Sequence, residues 1–170
     1  MEPVGPGEES VWDYPRPPEI RAAEGPLRVI FAGETVAETS RGLRVCETAG
    51  APVYFFPPED VSDGVLSPAP GGSVCEWKGL AAYFDVTVGG KVSKEAAFTY
   101  PDPFDDLRAA AGDARDFSRL AGWIAFYASR VDAAWIGDTQ VAPQPGGFYA
   151  GWVAPWLRGP IKGSPGTGHW

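Results

Sequence analysis

YFDVTVGGKVS, at residues 83–93, has the pattern of a β-hairpin. Two runs typical of β-strands, 83–88 and 91–93, flank the pair Gly89 and Gly90. Glycines readily adopt the positive φ angles that a two-residue hairpin turn requires. Residues 96–100 continue as a short strand, which the prolines that follow bring to an end. The sequence therefore predicts antiparallel pairing in the middle of the chain.

Further strands are predicted on the N-terminal side of this hairpin. Residues 27–32, 43–48 and 53–56 have the composition of strands, and a turn after the first leads into another at 35–38. Residues 62–73, SDGVLSPAPGGS, are expected to form a loop. The chain has 170 residues with 22 glycines, 18 prolines and 13% aromatic residues. This composition favours a folded, turn-rich, mainly β protein.

The C-terminal part contains a predicted helix and a tail. Leu120, Ile124, Tyr127 and Val131 recur at spacings typical of one face of an amphipathic helix. The tail, residues 143–170, is rich in Gly, Pro and Trp, and its large rings favour packing against the body. We expect a flexible N-terminus at 1–10 and a single α+β domain over 11–170 that includes this tail as a C-terminal extension.

The charge balance argues against several classes of partner. Lys and Arg number 14 and Asp and Glu number 22, so the formal net charge is −8. Such a surface repels polyphosphate backbones and anionic lipids, so we expect no nucleic acid and no membrane as a partner. No apolar run approaches the roughly 20 residues of a membrane span. The acidic, Gly- and Pro-rich start lacks the pattern of a signal peptide, and we expect a soluble, cytoplasmic protein.

The inventory of metal ligands argues against a metal centre. A structural zinc site requires four ligands, whereas the chain has two cysteines, Cys46 and Cys75, and one histidine, His169. The sequence also lacks a P-loop, a GxGxxG motif after a strand and a GxSxG elbow. We therefore predict no metal and no cofactor, and we expect both thiols to be reduced.

Strand periodicity singles out Glu47 as a candidate site residue. In the predicted strand 43–48, Val45 and Glu47 share one face. If Val45 faces the core, Glu47 does too, and a buried carboxylate requires a cation or hydrogen-bond donors. Lys78, Arg41 or a tyrosine hydroxyl would serve as the partner. The alternative is that Glu47 ends its strand at a solvated rim.

The segment CEWKG, at residues 75–79, supplies the remaining polar candidates. It contains a thiol at Cys75, an indole at Trp77 and an ammonium at Lys78. A lysine lowers the pKa of a nearby thiol, so Cys75 is a candidate nucleophile or redox group with Lys78 or Glu47 as acid or base. The alternative is a packed, inert thiol. The aromatic candidates, which either stack on a planar ligand or build the core, are Tyr54, Trp77, Tyr83 and Tyr100.

Several of these segments resemble, in order, the domain-of-unknown-function family 427. The tail GFYAGWV…GPIKGSPGTGHW is similar to an extension that some bacterial members carry. The residues around the predicted helix, 124–133, fit as well. The segments that carry the resemblance are WDYPRPP at 12–18, GETVAET at 33–39, LRVCET at 43–48, YFFPPEDV at 54–61, CEWKG at 75–79 and YPDP at 100–103.

The resemblance implies a β-tent fold, in which small antiparallel sheets lean together over a pocket. Relatives of that fold often hold zinc with two pairs of cysteines, which this sequence lacks. The family is sometimes labelled a nucleotidyltransferase domain, but the paired acids that follow Gly-Ser in palm-type enzymes are absent after Ser73. The recurrent positions of the family match Glu47, Tyr54, Pro57, Glu59, Cys75, Lys78, Tyr83 and Tyr100.

Three functions remain open from the sequence. The first is the binding of a small planar or anionic molecule in an aromatic-lined pocket, with Lys78 and Glu47 as its polar groups. The second is an enzyme that uses Cys75 as a nucleophile or redox thiol. The third is an interaction module whose Trp-rich tail docks a partner or a second copy, giving a homodimer.

Overall fold

The computed structural model describes residues 2–75, 79–103, 114–167 and 170, with the backbone alone at 71–75 and 79. This part of the chain is mainly β, and its four helices are short 3-10 turns at Val11–Asp13, Pro58–Asp60, Phe117–Leu120 and Ala128–Arg130. Its strands are β1 (Glu9–Ser10), β2 (Glu19–Ala22), β3 (Leu27–Phe31), β4 (Glu34–Thr39), β5 (Leu43–Cys46), β6 (Val53–Phe55), β7 (Leu66–Cys75), β8 (Gly79–Val88), β9 (Lys91–Thr99), β10 (Ile124–Phe126), β11 (Ala133–Ile136), β12 (Thr139–Gln140), β13 (Ala142–Pro143), β14 (Trp152–Val153) and β15 (Leu157–Arg158).

The hairpin predicted at residues 83–93 is confirmed as β8 and β9. Val88 pairs with Lys91 across the turn, and Gly89 has a φ of 58°, a value that suits glycine best. Further along, the ladder is interrupted by a bulge at which Glu95 also takes a positive φ. The carboxylate of Asp85 accepts a hydrogen bond from the Glu95 amide at 2.9 Å and so fastens the two strands at the bulge.

Three antiparallel sheets surround the two larger of the three apolar cores formed by the described residues. Their strand orders are β10-β9-β8-β7, β12-β11-β3-β4 and β2-β5-β6. Phe56 and Ile124 exchange two backbone hydrogen bonds, of 2.7 and 2.9 Å, and thereby join the third sheet to the first. The larger core includes Val29 and Val86, and the second is centred on the rings of β6 and β9. These rings place the second core beside the candidate site described below.

The predicted loop at 62–73 is wrong, because most of it belongs to strand β7. This strand pairs with β8 from Leu66 to Cys75, with a register shift between Pro68 and Gly72. Proline lacks the amide that a central strand needs, but it is tolerated at the edge of a sheet and at bulges. β7 lies at the end of its sheet's strand order, which explains how Pro68 and Pro70 fit within a strand.

The predicted C-terminal amphipathic helix is also wrong. Leu120 ends a 3-10 helix, Ile124 begins β10, and Tyr127 directly follows that strand. Between them Gly122 has a φ of 76°, which is incompatible with a continuous right-handed helix. Ile124 and its two successors are all buried, because β10 pairs with β9 and is covered on both faces. The helical spacing of apolar residues arose from a short strand between two tight turns.

The two ends of the chain lie together. β1, from the segment expected to be flexible, pairs in parallel with β15 of the tail. The tail in turn packs against the body through Trp152, which is fully buried and whose indole N–H donates to the Phe126 carbonyl at 2.9 Å. In the described ranges, no helix has both the length and the apolar character needed to cross a membrane.

Candidate functional site

The side chains of strand β5 alternate between its two faces, and the alternation continues to Glu47, the residue that follows the strand. Val45 and Glu47 line one wall of a cavity, and the Glu47 side chain is half-buried there. Arg44 and Cys46 point to the other face and are buried away from this cavity. The alternation follows from the two-residue period of a strand, and it brings Glu47 to the inward face together with Val45.

The central hairpin supplies the next wall. On β8, Ala81 and Tyr83 are two residues apart and both face the cavity, as do Phe98 and Tyr100 on and after β9. The ring of Phe98 lies 6.0 Å from that of Tyr83 and 5.8 Å from that of Tyr100, measured between centroids. These tilted and edge-to-face contacts fix the rings against each other and make the wall rigid.

Tyr127 closes this aromatic group from the end of β10. Its ring lies 5.5 Å from Phe98, and the Arg130 guanidinium lies 4.1 Å from the ring centre. Burial, together with the neighbouring Tyr83 hydroxyl with which it shares a hydrogen bond, raises the pKa of Tyr127. The Tyr127 hydroxyl therefore stays protonated at neutral pH, and it also contacts the Phe148 carbonyl at 3.5 Å, which links β10 to the tail.

Gln144 attaches the C-terminal tail to this site. Its side chain is buried, its amide oxygen accepts from the Ala51 N–H at 3.1 Å, and its amide nitrogen donates to the Lys162 carbonyl at 3.0 Å. The Lys162 N–H donates to the Ala49 carbonyl at 2.9 Å. One amide side chain thus joins the turn after β5 to a segment more than 100 residues later, and positions Lys162 beside that turn.

Two aromatic residues of the tail form the outer wall. The rings of Phe148 and Tyr149 meet edge-to-face at 5.1 Å, and Phe148 is 71% exposed. The ammonium of Lys162 lies 5.1 Å from the centre of the Tyr149 ring, within the range of a cation–π contact. This contact holds the Lys162 charge at the cavity, in a position set by a lining ring.

Together these walls enclose an open cavity of about 220 Å³. Its volume lies a little below the roughly 300–1,000 Å³ of typical ligand pockets, so it suits a small molecule. Small lining residues such as Gly50, Ala81 and Ala150 leave room for this cavity, and aromatic rings with a few polar groups surround it. The rings that line it are Tyr83, Phe98, Tyr100, Tyr127, Phe148 and Tyr149.

The charged groups of the cavity are Glu47 and Lys162, as far as the described lining residues go. Neither forms an ion pair with a residue whose side chain the structure describes, and they do not pair with each other. Both are half-buried. A bound ligand of opposite charge would supply the counter-charge that each of these groups lacks among the described residues.

The structure brings together some of the residues that the sequence predicted. Glu47, Tyr83 and Tyr100 line the cavity. Tyr54 does not: it is buried in the larger core, with its hydroxyl 2.8 Å from both carboxylate oxygens of Glu24. Trp77 and Lys78 lie outside the described residues, and the side chain of Cys75 is likewise not described.

Sequence reasoning missed Phe98, Tyr127, Gln144, Tyr149 and Lys162. The sequence pattern could have identified Phe98, because it lies two residues before Tyr100 and therefore shares its face of the strand. No local sequence pattern identifies the tail residues as part of the site, because their position depends on contacts with the turn after β5. Lys162 in particular lies in a Gly- and Pro-rich segment where no periodicity applies.

A second polar cluster lies on the other face of β5. The Arg44 guanidinium binds both carboxylate oxygens of Glu9, at 2.8 and 3.1 Å, and approaches Glu24 at 3.5 Å. Tyr14 donates to Glu9 at 2.7 Å, and the Trp156 indole donates to Glu24 at 3.1 Å. The hydrogen bond from Arg44 is the main cause that lowers the pKa of Glu9. Every charge in this cluster is partnered, which indicates a structural role.

The described cysteine side chain, Cys46, has no catalytic environment. It is buried among apolar residues of the N-terminal segment and tail, and this burial raises its pKa to about 11. A thiol in such surroundings is a poor nucleophile at neutral pH. Among the described residues, no three His, Cys, Asp or Glu side chains lie close enough together to hold a metal ion.

A family model described as "Domain of unknown function (DUF427)" matches residues 19–137. No curated protein matches the chain. The matched segment contains the walls built by β5, β8, β9 and Tyr127, whereas Gln144, Phe148, Tyr149 and Lys162 follow it in the sequence. The cavity is therefore assembled from the family's domain and from the tail beyond it.

Proposed function

The chain belongs to the DUF427 family, a domain of unknown function, and we propose that it is a binding protein for a small molecule. The ligand occupies the cavity between the central hairpin, the turn after β5 and the tail. The observation that carries the proposal is a cavity lined by six described rings that also contains an ammonium and a carboxylate without ion-pair partners among the described residues.

The ligand chemistry follows from this lining. Rings that are fixed by contacts with each other favour a flat, partly apolar ligand body, because such a body contacts them without rearranging them. Lys162 and Glu47 favour a ligand that carries at least one charge. The β-tent arrangement belongs to the same proposal: the sheets containing β5 and β8–β9 would lean together over the ligand.

The geometry supports this function better than the other two hypotheses. Trp152 of the tail is fully buried and is used within the chain, which leaves Phe148 as the exposed large ring of that segment. The enzyme hypothesis rests on the Cys75 side chain and stays a prediction. The small-molecule hypothesis is the one for which described side chains converge on a shared space.

The proposal is tested by a ligand screen on the wild-type protein and on variants whose larger side chains fill the cavity. A panel of small ring compounds that bear an acid, an amine or both is screened by ligand-observed NMR and thermal shift. Ala81→Leu on β8 and Ala150→Leu on the tail each enlarge a side chain that lines the cavity. Ala82→Leu is the matched control, because Ala82 is the next residue of β8 and points to the opposite face.

We expect at least one compound to bind the wild-type protein and Ala82→Leu, and to lose affinity for both cavity-filling variants. Circular dichroism and urea unfolding establish that the variants are folded. If no compound in the panel binds, or if the compounds bind Ala81→Leu and Ala150→Leu as well as the wild type, the proposed function is wrong.

A further inference from the structure

Glu47 and Lys162, which have no ion-pair partner among the described side chains, lie on backbone segments that are hydrogen-bonded to each other. The Lys162 amide donates to the Ala49 carbonyl, and two residues before Ala49 is Glu47, whose own carbonyl accepts from Gly50 at 3.1 Å. Gln144 bonds to both segments and is itself buried. The backbone segments that carry the Glu47 carboxylate and the Lys162 ammonium therefore lie next to each other, and both residues line the ring-lined cavity.

From this arrangement we infer that the ligand is amphoteric: a small aromatic molecule that carries a primary amine and a carboxylate close together, as an aromatic α-amino acid does. The inference rests on the proposed function, because it specifies the chemistry of the same cavity. Glu47 binds the ligand ammonium, Lys162 binds the ligand carboxylate, and the aromatic body lies among Tyr83, Phe98 and Tyr100.

A purely anionic or purely cationic ligand fits the described charges less well. An aromatic acid would satisfy Lys162 but would bring its negative charge near the unpaired Glu47. An aromatic amine would satisfy Glu47 and repel Lys162. Since like charges in a partly desolvated site are costly and opposite charges are favourable, a ligand with both groups is the one that compensates both residues.

The position of Lys162 strengthens this assignment. Its backbone is fixed by hydrogen bonds to Ala49 and Gln144, and its ammonium lies against the face of Tyr149. A lysine on a free surface loop pays a large entropy to hold a ligand. Here much of that cost is met by contacts within the protein, so Lys162 is suited to fix a ligand carboxylate in one orientation.

The test compares three probes that differ only in their charged groups: L-phenylalanine, 3-phenylpropionate and 2-phenylethylamine. Each is titrated by calorimetry or NMR at neutral pH against the full-length wild-type protein, Glu47→Gln and Lys162→Gln. Glu34→Gln and Lys91→Gln are the matched controls, because both residues are exposed and lie away from the cavity. Urea unfolding of every variant checks that the fold is retained.

We expect the wild type to bind L-phenylalanine at least about tenfold more tightly than either analogue, since a site built for a polar group rejects the analogue that lacks it. Glu47→Gln removes the advantage of L-phenylalanine over 3-phenylpropionate, and Lys162→Gln removes its advantage over 2-phenylethylamine. The control variants bind as the wild type does.

Two outcomes in which the probes bind overturn the inference. One is an analogue that binds the wild type as tightly as L-phenylalanine; the other is a loss of affinity in Glu47→Gln and Lys162→Gln that is equal for all three probes. In either case the proposed function stands, because a ring compound still binds. If all three probes fail while another compound of the panel binds in the cavity, the inference alone is wrong; if the whole panel fails, both are wrong.

Discussion

The indole of Trp152 stacks on the phenol ring of Tyr54, with centroids 5.0 Å apart and planes inclined by 25°. Tyr54 belongs to β6 and Trp152 to β14 of the tail, so the contact joins the family's domain to the segment beyond it. Both side chains are buried, and the indole N–H is bonded to the Phe126 carbonyl. The stack makes the tail part of the larger core.

Replacing Trp152 by alanine should therefore destabilise the protein severely. Truncation of a fully buried aromatic side chain costs about 3–5 kcal/mol, and here it also removes a buried hydrogen bond. Urea unfolding followed by circular dichroism measures the loss. Phe148→Ala is the matched control from the same segment: Phe148 is mostly exposed, and we expect its loss to change stability by no more than about 0.5 kcal/mol. Equal effects of the two variants would contradict the burial described here.

Gln144→Leu should weaken both the fold and the site. The substitution removes the partners of the Ala51 N–H and the Lys162 carbonyl, and each buried group left unpaired costs about 1–3 kcal/mol. Lys162 also loses one of the two hydrogen bonds that hold its backbone beside the turn, so affinity for any cavity ligand should fall. Unfolding free energy and ligand titration are measured together. Gln140→Leu, at an exposed position of β12, should leave both unchanged.

The ion pair between Glu9 and Arg44 should make stability fall in acid. Arg44 lowers the pKa of Glu9 in the folded protein below the ordinary value of 4.5. The folded state thus binds fewer protons than the unfolded state, so the contribution is complete above that value and is lost as pH falls through the lowered pKa. Urea unfolding of the wild type and Glu9→Gln between pH 7 and pH 3 measures the effect.

We expect the stability difference between these two proteins to be largest near neutral pH and to shrink below pH of about 4.5. Glu34→Gln, at an exposed glutamate, should follow the wild-type profile. A stability difference between wild type and Glu9→Gln that is constant across the whole pH range would show that the Glu9 carboxylate is not held in its ionised form by Arg44.

Cys46 should react slowly with alkylating agents. Burial raises its pKa to about 11, so the reactive thiolate at pH 7.5 is roughly a hundredfold or more scarcer than for an ordinary cysteine. The Cys75→Ser variant isolates Cys46, and iodoacetamide labelling followed by mass spectrometry gives the rate. Labelling in urea, where the burial is lost, should restore ordinary reactivity. Fast labelling of the folded variant would contradict the placement of Cys46 in the core.

The reciprocal variant, Cys46→Ser, tests the enzyme hypothesis that the sequence left open. It leaves Cys75 as the single thiol, and its alkylation rate as a function of pH reports the pKa of that group. A rate at neutral pH well above that of a free thiol would support a nucleophilic role for Cys75. A rate no faster than that of a free thiol would remove the hypothesis.

Local sequence rules predicted the parts of this fold that depend on local chemistry. The glycine pair at 89–90 sets the central hairpin, and the two-residue period of β5 places Glu47 beside Val45. The same rules failed where tertiary contacts decide. Apolar spacing from Leu120 to Val131 imitates a helix, yet pairing with β9 and the left-handed Gly122 produce a strand between turns.

The sequence predicted only part of the candidate site, because tertiary contacts also decide which residues line it. Tyr83 and Tyr100 were found because they lie in strands whose faces can be assigned. Lys162 was not, because its approach to Glu47 depends on hydrogen bonds made by Gln144 and Ala49. Tyr54 lies in the larger core, which is the second of the two alternatives that the sequence left open for its ring, and it stacks there on Trp152 of the tail. The cytoplasmic location, a homodimer and the roles of Trp77 and Lys78 stay predictions.

The boundary at residue 137 runs through the cavity. The walls that include Glu47 belong to the domain, and Lys162 comes from the segment that follows it. A different segment at this position would change the charge of the lining in one step, provided that it also carried a ring to take the place of Trp152. Because Trp152 anchors the tail without lining the cavity, the lining residues of the tail can diverge among relatives while this anchor stays constant.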